Sequence, residues 1–231
     1  MSVDFEYDVI ENKNGDIILN VREGVERVDR FDLDSWYPVI EINIPASVKA
    51  IDFQAVAGME FLDCINVDPE SKYFVAVDGC VYSSDMKTLV LYPPAKACDC
   101  FEIPSTVESI APGAFWGVTG LKCVKLGKNV KRIGYEAFAG SLCIERIYID
   151  KGVEEINRLI DDLYESREYL VVGGFSGSAI ERWCYENAVR FCPLSEDQVE
   201  DFLSSPEWDE VVPSVAYFYE CRDRLKKGLG I

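Results

Sequence analysis

The sequence contains no histidine and no CxxC motif. The absence of histidine excludes catalytic pairs in which this residue activates a Ser or Cys nucleophile, and it removes the usual zinc-ligand spacings. No phosphate-binding glycine loop of the usual spacing and no EF-hand spacing occurs either. Adjacent acids such as Glu154–Glu155 and Asp161–Asp162 are predicted to be solvated surface groups. We therefore predict a protein that is not an enzyme and that has no metal or cofactor.

Basic residues and long apolar runs are scarce. The chain has 23 Lys and Arg against 41 Asp and Glu, a net charge of −18 at pH 7. A phosphate backbone is bound by clustered positive charge, so this balance argues against nucleic acid and anionic membranes as partners. No stretch approaches the ~18 apolar residues of a transmembrane helix, so no membrane insertion is expected. Residues 1–16 lack the positive start of a secretory signal, which predicts a cytoplasmic location.

Cysteine, in contrast, is plentiful. The chain has nine cysteines, at positions 64, 80, 98, 100, 123, 143, 184, 192 and 221. Without a secretory signal we expect reduced thiols. Most of them are predicted to be small apolar core residues.

An apolar pattern recurs every 23 residues in the middle of the chain. The reference unit has apolar residues at Leu121, Val124, Leu126, Val130, Ile133, Ala137 and Phe138. Adding 23 gives Ile144, Ile147, Ile149, Val153 and Ile156. Subtracting 23 gives Cys98, Phe101, Ile103, Val107, Ile110, Ala114 and Phe115. A constant phase over several units indicates a stack of repeats, which decides the fold.

The same spacing continues towards the N-terminus. One unit there contains Val39, Ile42, Ile44, Val48, Ile51, Ala55 and Val56. Steps of 23 residues lead to Leu19, Val21, Val25, Val28 and Leu33 before it, and to Leu62, Ile65 and Val67 after it. The step from Val67 to Ile103 is 36 residues, which indicates an insertion of about 13. We predict seven successive strand positions, at Val21, Ile44, Val67, Ile103, Leu126, Ile149 and Val172.

The spacing within a unit predicts how the units stack. Val124 and Leu126 are two residues apart, so both point to the same side of a short strand. One unit cannot bury its apolar side alone, whereas stacked units bury a continuous core. Each strand is then expected to pair with the next at ~4.8 Å in one parallel sheet.

Two units carry a recognisable signature. Ile103-Pro-Ser-Thr-Val107-Glu-Ser-Ile110-Ala-Pro-Gly-Ala-Phe115 and Leu126-Gly-Lys-Asn-Val130-Lys-Arg-Ile133-Gly-Tyr-Glu-Ala-Phe138 resemble the IPxxVxxIgxxAF unit of type 5 leucine-rich repeats. These BspA-like repeats occur in bacterial and treponemal surface antigens. The inserted segment, from Asp78 to Pro93, is similar to an extra hairpin carried by such proteins from gut bacteria. The resemblance implies a leucine-rich-repeat solenoid that acts in surface adhesion or host interaction.

The predicted fold class is a β-rich α/β solenoid. Leucine-rich repeats of 23 residues form a parallel sheet, interrupted by one β-hairpin or meander and closed by a helical C-terminal cap. We predict an N-terminal cap segment over 1–18, the solenoid over 19–192 with its insertion at about 70–97, and an acidic tail over 193–231. Asp78-Gly79 predicts a hairpin of 75–77 against 81–82, with 89–92 as a third strand.

Helices are expected in the C-terminal third. Helical spacing predicts a short helix over 157–167. Ser178 is a candidate N-cap for a helix over 179–187 that packs Ile180, Trp183 and Cys184 as an end cap. In the tail, Ser195 is predicted to cap a short helix through Leu203, and Ser214 a longer one through Lys227. The tail either folds back on the solenoid or docks its aromatic residues on a partner or a second copy.

Residues between the inward pairs are expected to face solvent on the sheet. This candidate binding face consists of Glu41, Asn43, Cys64, Asn66, Cys100, Glu102, Cys123, Lys125, Arg146 and Tyr148. Within it, Cys64, Cys100 and Cys123 take the same slot on what we expect to be three successive strands. Either they are thiols covered by a loop or hairpin, or they form a soft-metal site or a redox-labile pair.

These features together predict a non-enzymatic binding module that presents its repeat surface to a protein or a glycan. Family resemblance places it at the cell surface. The alternative function is an intracellular scaffold or regulatory protein that binds a bacterial partner through the acidic tail. The oligomeric state is not determined by the sequence, and a monomer is favoured. An enzyme of unknown type is the third hypothesis, and it requires a deep pocket with convergent acids.

Overall fold

The chain folds as a parallel β-solenoid of about seven turns. The computed structural model describes residues 6–31, 33, 37–160 and 170–204. Two sheets make the first row of strands. The N-terminal sheet has the order β1-β2-β4-β6, namely Tyr7–Glu11, Ile17–Val21, Val39–Ile44 and Cys64–Val67. The C-terminal sheet has the order β10-β12-β14-β16-β17, namely Cys98–Glu102, Leu121–Leu126, Arg146–Ile149, Val171–Gly174 and Arg190–Pro193.

A second row of short strands lies behind the first, where each repeat turns back. At its N-terminal end, Arg27–Val28 (β3) pairs with Ala50–Ile51 (β5). The rest is a six-stranded sheet of order β15-β13-β11-β9-β8-β7, namely Glu155–Ile156, Arg132–Ile133, Ser109–Ile110, Thr88–Leu91, Cys80–Ser83 and Phe74–Val77. Between the two rows lie the apolar side chains of the repeat frame, most of which are buried.

Strand register confirms the 23-residue period. Ile42 is the partner of both Leu19 and Ile65, and Val124 is the partner of both Phe101 and Ile147. The last predicted step is wrong by two residues, because Val172 pairs with Ile147 and not with Ile149. The repeat that ends at β16 is therefore 25 residues long.

The expected single ladder with a continuous core is also wrong. β6 and β10 belong to different sheets, and the inserted meander β7–β9 lies between the two halves of the stack. Buried residues accordingly form two clusters. β8 separates them, since its Val81 packs into the N-terminal cluster and its Cys80 and Tyr82 pack into the C-terminal one. All three side chains are buried because both faces of this strand meet apolar surface.

The predicted hairpin is confirmed. β7 and β8 are antiparallel, with Val75 opposite Tyr82 and Val77 opposite Cys80. Asp78 and Gly79 both have positive φ angles, 49° and 73°. This backbone geometry suits a two-residue type I′ turn, which explains the Asp-Gly sequence. β9 then turns parallel to β11, with Leu89 opposite Ile110, so the meander rejoins the second row of the solenoid.

The C-terminal end is closed by helices, as expected. Helix α1 spans Ala179–Asn187, is capped by the Ser178 side chain, and buries Ile180 and Cys184. Ser195 precedes a 3-10 turn, Glu196–Gln198, and helix α2, Val199–Ser204. The predicted helix over 214–227 lies outside the described residues. The helix predicted over 157–167 falls largely there too, and the described residues 157–160 are not helical.

Candidate interaction surface

The ten predicted residues lie in two columns on the outward side of the first row. Register joins Glu41 to Cys64 and Asn43 to Asn66 in the N-terminal sheet. In the C-terminal sheet it places Cys100, Cys123 and Arg146 in one column, and Glu102, Lys125 and Tyr148 in the other. The structure therefore brings the ten together as two groups, four residues before the meander and six after it.

A row of asparagines crosses the N-terminal sheet. Asn20 is the register partner of Asn43 and extends the predicted column by one strand. The Asn43 amide donates to the Asn20 side-chain oxygen at 2.8 Å, and the Asn66 amide donates to the Asn43 oxygen at 2.9 Å. Asn43 also donates to Glu41 Oε1 at 3.0 Å. The sequence interpretation missed Asn20, although a step of 23 residues back from Asn43 leads to it.

The asparagine row, Asn20–Asn43–Asn66, lines an open depression of about 350 Å³. Its apolar rim is made by Val21, Ile44, Pro45 and Val67, and Asp68 closes one end. Asn66 is exposed and the other two asparagines are half-buried. Asn43 uses both of its N–H groups, on Asn20 and on Glu41, whereas Asn66 uses one N–H along the row and Asn20 uses none. The further donors of the row are therefore those of Asn20 and Asn66, and each amide oxygen keeps a lone pair.

The C-terminal half of the same face is covered in part, since Cys100 and Glu102 on β10 remain exposed. Cys123, Arg146 and Tyr148 are only 3%, 7% and 5% exposed, so the expectation that they face solvent is wrong. Burial raises the pKa of the Tyr148 hydroxyl above its ordinary value, and the neighbouring Asp150 carboxylate adds to the effect. These side chains point outward from their strands as the alternation predicts, but other residues of the chain pack over them.

Part of the cover is the chain's own C-terminal segment, residues 194–204. Its Phe202 is fully buried, and a Cβ on Gly173 of β16 would lie 2.7 Å from the side chains of both Leu194 and Phe202. The Lys125 ammonium group forms ion pairs with Glu102, at 3.4 Å, and with Glu200 of α2. The absence of a side chain at Gly173 thus leaves the room in which the segment docks on the sheet.

The expectation of reduced thiols is wrong for two members of the cysteine column. Cys100 and Cys123 are joined by a disulfide across adjacent strands, with their Cα atoms 4.5 Å apart. Cys64 is a free thiol in the other sheet, so the three cysteines do not lie on successive strands. Within the described residues, no group of three or more Cys, Asp or Glu is placed to hold a metal ion.

Burial sets the acidity of most free thiols. It raises the pKa of Cys80 to about 12 and that of Cys192 to about 11. It also raises the pKa of Cys64, where the Glu41 and Asp63 carboxylates act in the same direction, and it raises that of Cys184 well above the ordinary value. These four thiols are protonated at neutral pH, and three of them, Cys80, Cys184 and Cys192, are buried as small core residues.

Parallel strands in two rows, joined by 23-residue repeats, define a leucine-rich-repeat solenoid. Residues 95–160 match the family described as BspA type Leucine rich repeat region, with six copies. This region of the chain is a BspA-type leucine-rich repeat, as the motifs at 103–115 and 126–138 predicted. Among the described residues, no helix has the length and apolar character needed to cross a membrane.

Three solved structures are similar to this chain. A leucine-rich repeat protein from Eubacterium ventriosum has 22% identity and a TM-score of 0.49, and the match covers 68% of this chain and 47% of that protein. A leucine rich cell surface protein from Faecalibacterium prausnitzii has 19% identity and a TM-score of 0.43, covering 66% and 62%. Pneumococcal vaccine antigen PcpA has 12% identity and a TM-score of 0.42, covering 74% and 60%. The chain thus spans between 47% and 62% of the length of these proteins. No curated protein matches it.

Proposed function

We propose that this protein is a non-enzymatic binding module whose open sheet face, centred on the asparagine row, recognises a protein or a glycan. The observation that carries the proposal is the contrast between the two halves of one face. In the C-terminal half, residues 194–204 of the chain itself pack over part of the face, and the depression that remains is lined by the charged groups of Glu102, Lys125, Asp150, Glu196 and Glu200. The N-terminal half presents the uncharged amides of Asn20, Asn43 and Asn66 in an open depression. Repeat folds use such extended faces for recognition.

The chemistry of the asparagine row suits a polar, uncharged ligand surface. An amide side chain offers both a donor and an acceptor, and therefore complements a peptide group or a sugar hydroxyl. Three amides repeat at the strand spacing of ~4.8 Å, and their mutual hydrogen bonds hold them in one orientation. A row that is already oriented loses little side-chain entropy when a ligand binds.

Binding assays with the purified chain test this proposal. The wild-type protein is used to capture ligands from a glycan array and from host and bacterial protein extracts. The triple variant Asn20→Ala, Asn43→Ala, Asn66→Ala should lose at least about tenfold in affinity for the captured ligand, since each lost hydrogen bond costs about 1 kcal/mol. Asn129→Ala is the matched control, because Asn129 donates to the Ser105 carbonyl outside the row.

Two outcomes contradict the proposal. One is a wild-type chain that captures neither protein nor glycan, and the other is a triple variant that binds as tightly as Asn129→Ala. Thermal unfolding of all variants shows whether lost binding reflects lost fold. Fractionation of the native cells tests the location that we infer from the repeat family, the cell surface. Recovery only from the cytoplasm would favour an intracellular scaffold.

A further inference from the structure

We propose that the Cys100–Cys123 disulfide is a thiol–disulfide exchange site for low-molecular-weight thiols, in which the incoming thiol attacks Cys100 and Cys123 is the leaving sulfur. The site lies on the outward face of β10 and β12, on the C-terminal side of the meander. It is separate from the asparagine row, so it does not depend on the proposed binding function.

The repeat itself creates the pair. Cys100 and Cys123 are separated by 23 residues, which is one turn of the solenoid, and they are direct register partners. Their Cα separation of 4.5 Å lies within the range that disulfides span. β10 is the first strand of its sheet, and the meander lies on its other side.

The two sulfurs differ in access. Cys100 is exposed, whereas Cys123 is only 3% exposed. Exchange proceeds when a thiolate approaches one sulfur of a disulfide and displaces the other. Because solvent reaches Cys100 far more readily than Cys123, the geometry selects Cys100 as the sulfur attacked.

The neighbour of Cys123 favours its departure. Arg146 on β14 is the register partner of Cys123, and the two side chains project from the same face of adjacent strands. A guanidinium beside a cysteine stabilises the thiolate form. Leaving sulfurs with a more stable thiolate depart faster, so we expect Arg146, whose Nη1 also lies 3.8 Å from Glu145 Oε2, to favour the departure of Cys123. Arg146 is a positioning residue in this scheme, since it acts through Cys123.

The exchange balances without a further reactant. A thiolate RS⁻ forms a bond to Cys100 Sγ, the Cys100–Cys123 bond breaks, and Cys123 Sγ leaves with the electron pair. A second RS⁻ then attacks the outer sulfur of the mixed disulfide. RSSR is released, Cys100 leaves as a thiolate, and both protein thiolates take protons from solvent. Two RSH are oxidised to RSSR, and one protein disulfide is reduced to two thiols.

Glutathione is the probe for the test, and the background carries Cys64→Ser, Cys98→Ser, Cys143→Ser and Cys221→Ser. The first three are free thiols that are half-buried or exposed, and the fourth lies outside the described residues. Each cysteine of the pair is then isolated by replacing the other with Ser. With oxidised glutathione, the Cys123→Ser chain should form a mixed disulfide at Cys100. The Cys100→Ser chain should form one at Cys123 at least about tenfold more slowly, since access controls exchange. Intact mass and peptide mapping measure both rates.

The role of Arg146 is tested in the chain that keeps both cysteines. Reduction by glutathione should slow about threefold in Arg146→Gln, since exchange rates vary less than proportionally with the acidity of the thiols involved, and should recover in Arg146→Lys. Three results overturn the proposal. The disulfide is reduced only after the chain is unfolded in urea, Cys123 reacts as fast as Cys100, or Arg146→Lys is as slow as Arg146→Gln while both remain folded.

Discussion

At Gly134 the stacking of repeats leaves no room for a side chain. A Cβ there would lie 2.6 Å from the carbonyl carbon of Ala111 and 2.9 Å from the carbonyl oxygen of Ile110, both in the backbone of the preceding repeat. Backbone atoms in a packed stack move only together with their strand, so the crowding is not relieved by a change of rotamer.

The first prediction follows from this contact. Gly134→Ala should lower the free energy of unfolding by about 1–3 kcal/mol, as expected for overpacking. Gly127→Ala in the same repeat is the matched control. Its Cβ would meet only the Ile103 carbonyl oxygen, at 3.7 Å, and its cost should stay near about 0.5 kcal/mol. Urea denaturation measures both, and equal losses would show that the two repeats are not in close contact at Gly134.

A second prediction at this scale concerns pH. The pKa of the Cys80 thiol is about 12 in the fold, whereas an unfolded cysteine has a pKa of about 8.5. Above about pH 8.5 the unfolded chain releases this proton and the folded chain keeps it. The stability contributed by Cys80 is therefore complete below that pH and is lost as the pH rises towards 12, by about 1.4 kcal/mol per pH unit.

Urea denaturation at about pH 8 and about pH 10 gives the readout. Over this interval the wild-type chain should lose about 2 kcal/mol more than Cys80→Ala, because the variant has no thiol to ionise at the meander. An identical loss in the two chains would mean that Cys80 is not buried between the two halves of the stack.

Single residues also show what the sequence can predict. Asn43 and Asn66 were found because strand alternation decides which side chains point outward. Cys123, Arg146 and Tyr148 point outward by the same rule but are buried, since burial also depends on what packs over the face. That cover comes in part from residues more than 45 positions further along the chain. The local sequence pattern therefore does not predict that these side chains are buried.

At the scale of elements, α2 is the clearest case of tertiary packing. The helix is short, and a helix of this length is not stable alone. Its Val199, Phe202 and Leu203 are buried with the core cluster of the C-terminal half. We infer that these apolar contacts, and not the ion pair of Glu200 with Lys125, hold the helix on the sheet.

Two substitutions within one turn of α2 distinguish the contribution of the apolar contacts from that of the ion pair. Phe202→Ala should cost about 3–5 kcal/mol, because a fully buried aromatic side chain is lost. Glu200→Gln removes only an exposed charge and should cost less than about 1 kcal/mol. Thermal or urea unfolding measures both. A Phe202→Ala chain as stable as Glu200→Gln would mean that residues 194–204 do not dock on the sheet.

Elements whose signals are local could be predicted. The Asp78-Gly79 turn and the Ser178 and Ser195 caps depend on a few adjacent residues, and all three lie where the sequence places them. The split of the sheet at β6 and β10 could not be predicted, because the length of an insertion does not say whether it bulges outward or enters the stack. The two extra residues in the repeat before β16 were missed since a step from Ile149 still reaches an apolar residue.

At the scale of the whole molecule, the meander divides one solenoid into two cores. Stability in a repeat stack is a sum of units and nearest-neighbour contacts, so a local defect stays near its own core. Val81 belongs to the N-terminal cluster and Leu89 to the C-terminal one, although eight positions separate them in one meander.

This division predicts a reciprocal pair of variants. Val81→Ala should lower the free energy of unfolding by about 2 kcal/mol and should speed hydrogen exchange in β2 and β4 more than in β12 and β14. Leu89→Ala should lower the free energy of unfolding by about 2–5 kcal/mol and should speed hydrogen exchange in β12 and β14 more than in β2 and β4. Mass spectrometry of exchanged peptides gives the comparison. Uniform acceleration across all four strands in both variants would indicate one continuous core.

The account depends most on one arrangement: residues 194–204 pack over part of the C-terminal half of the sheet face and leave the asparagine row open. Zero-length carbodiimide cross-linking of the native chain tests it directly, because it joins only a lysine and a carboxylate that are in contact. We expect cross-links from Lys125 to Glu200 and from Lys151 to Glu196, besides the internal control Lys87 to Glu108, whose charged atoms are 2.9 Å apart. If Lys87–Glu108 is recovered and neither link to 194–204 is found, the segment does not cover the face and the proposed division of the surface is wrong.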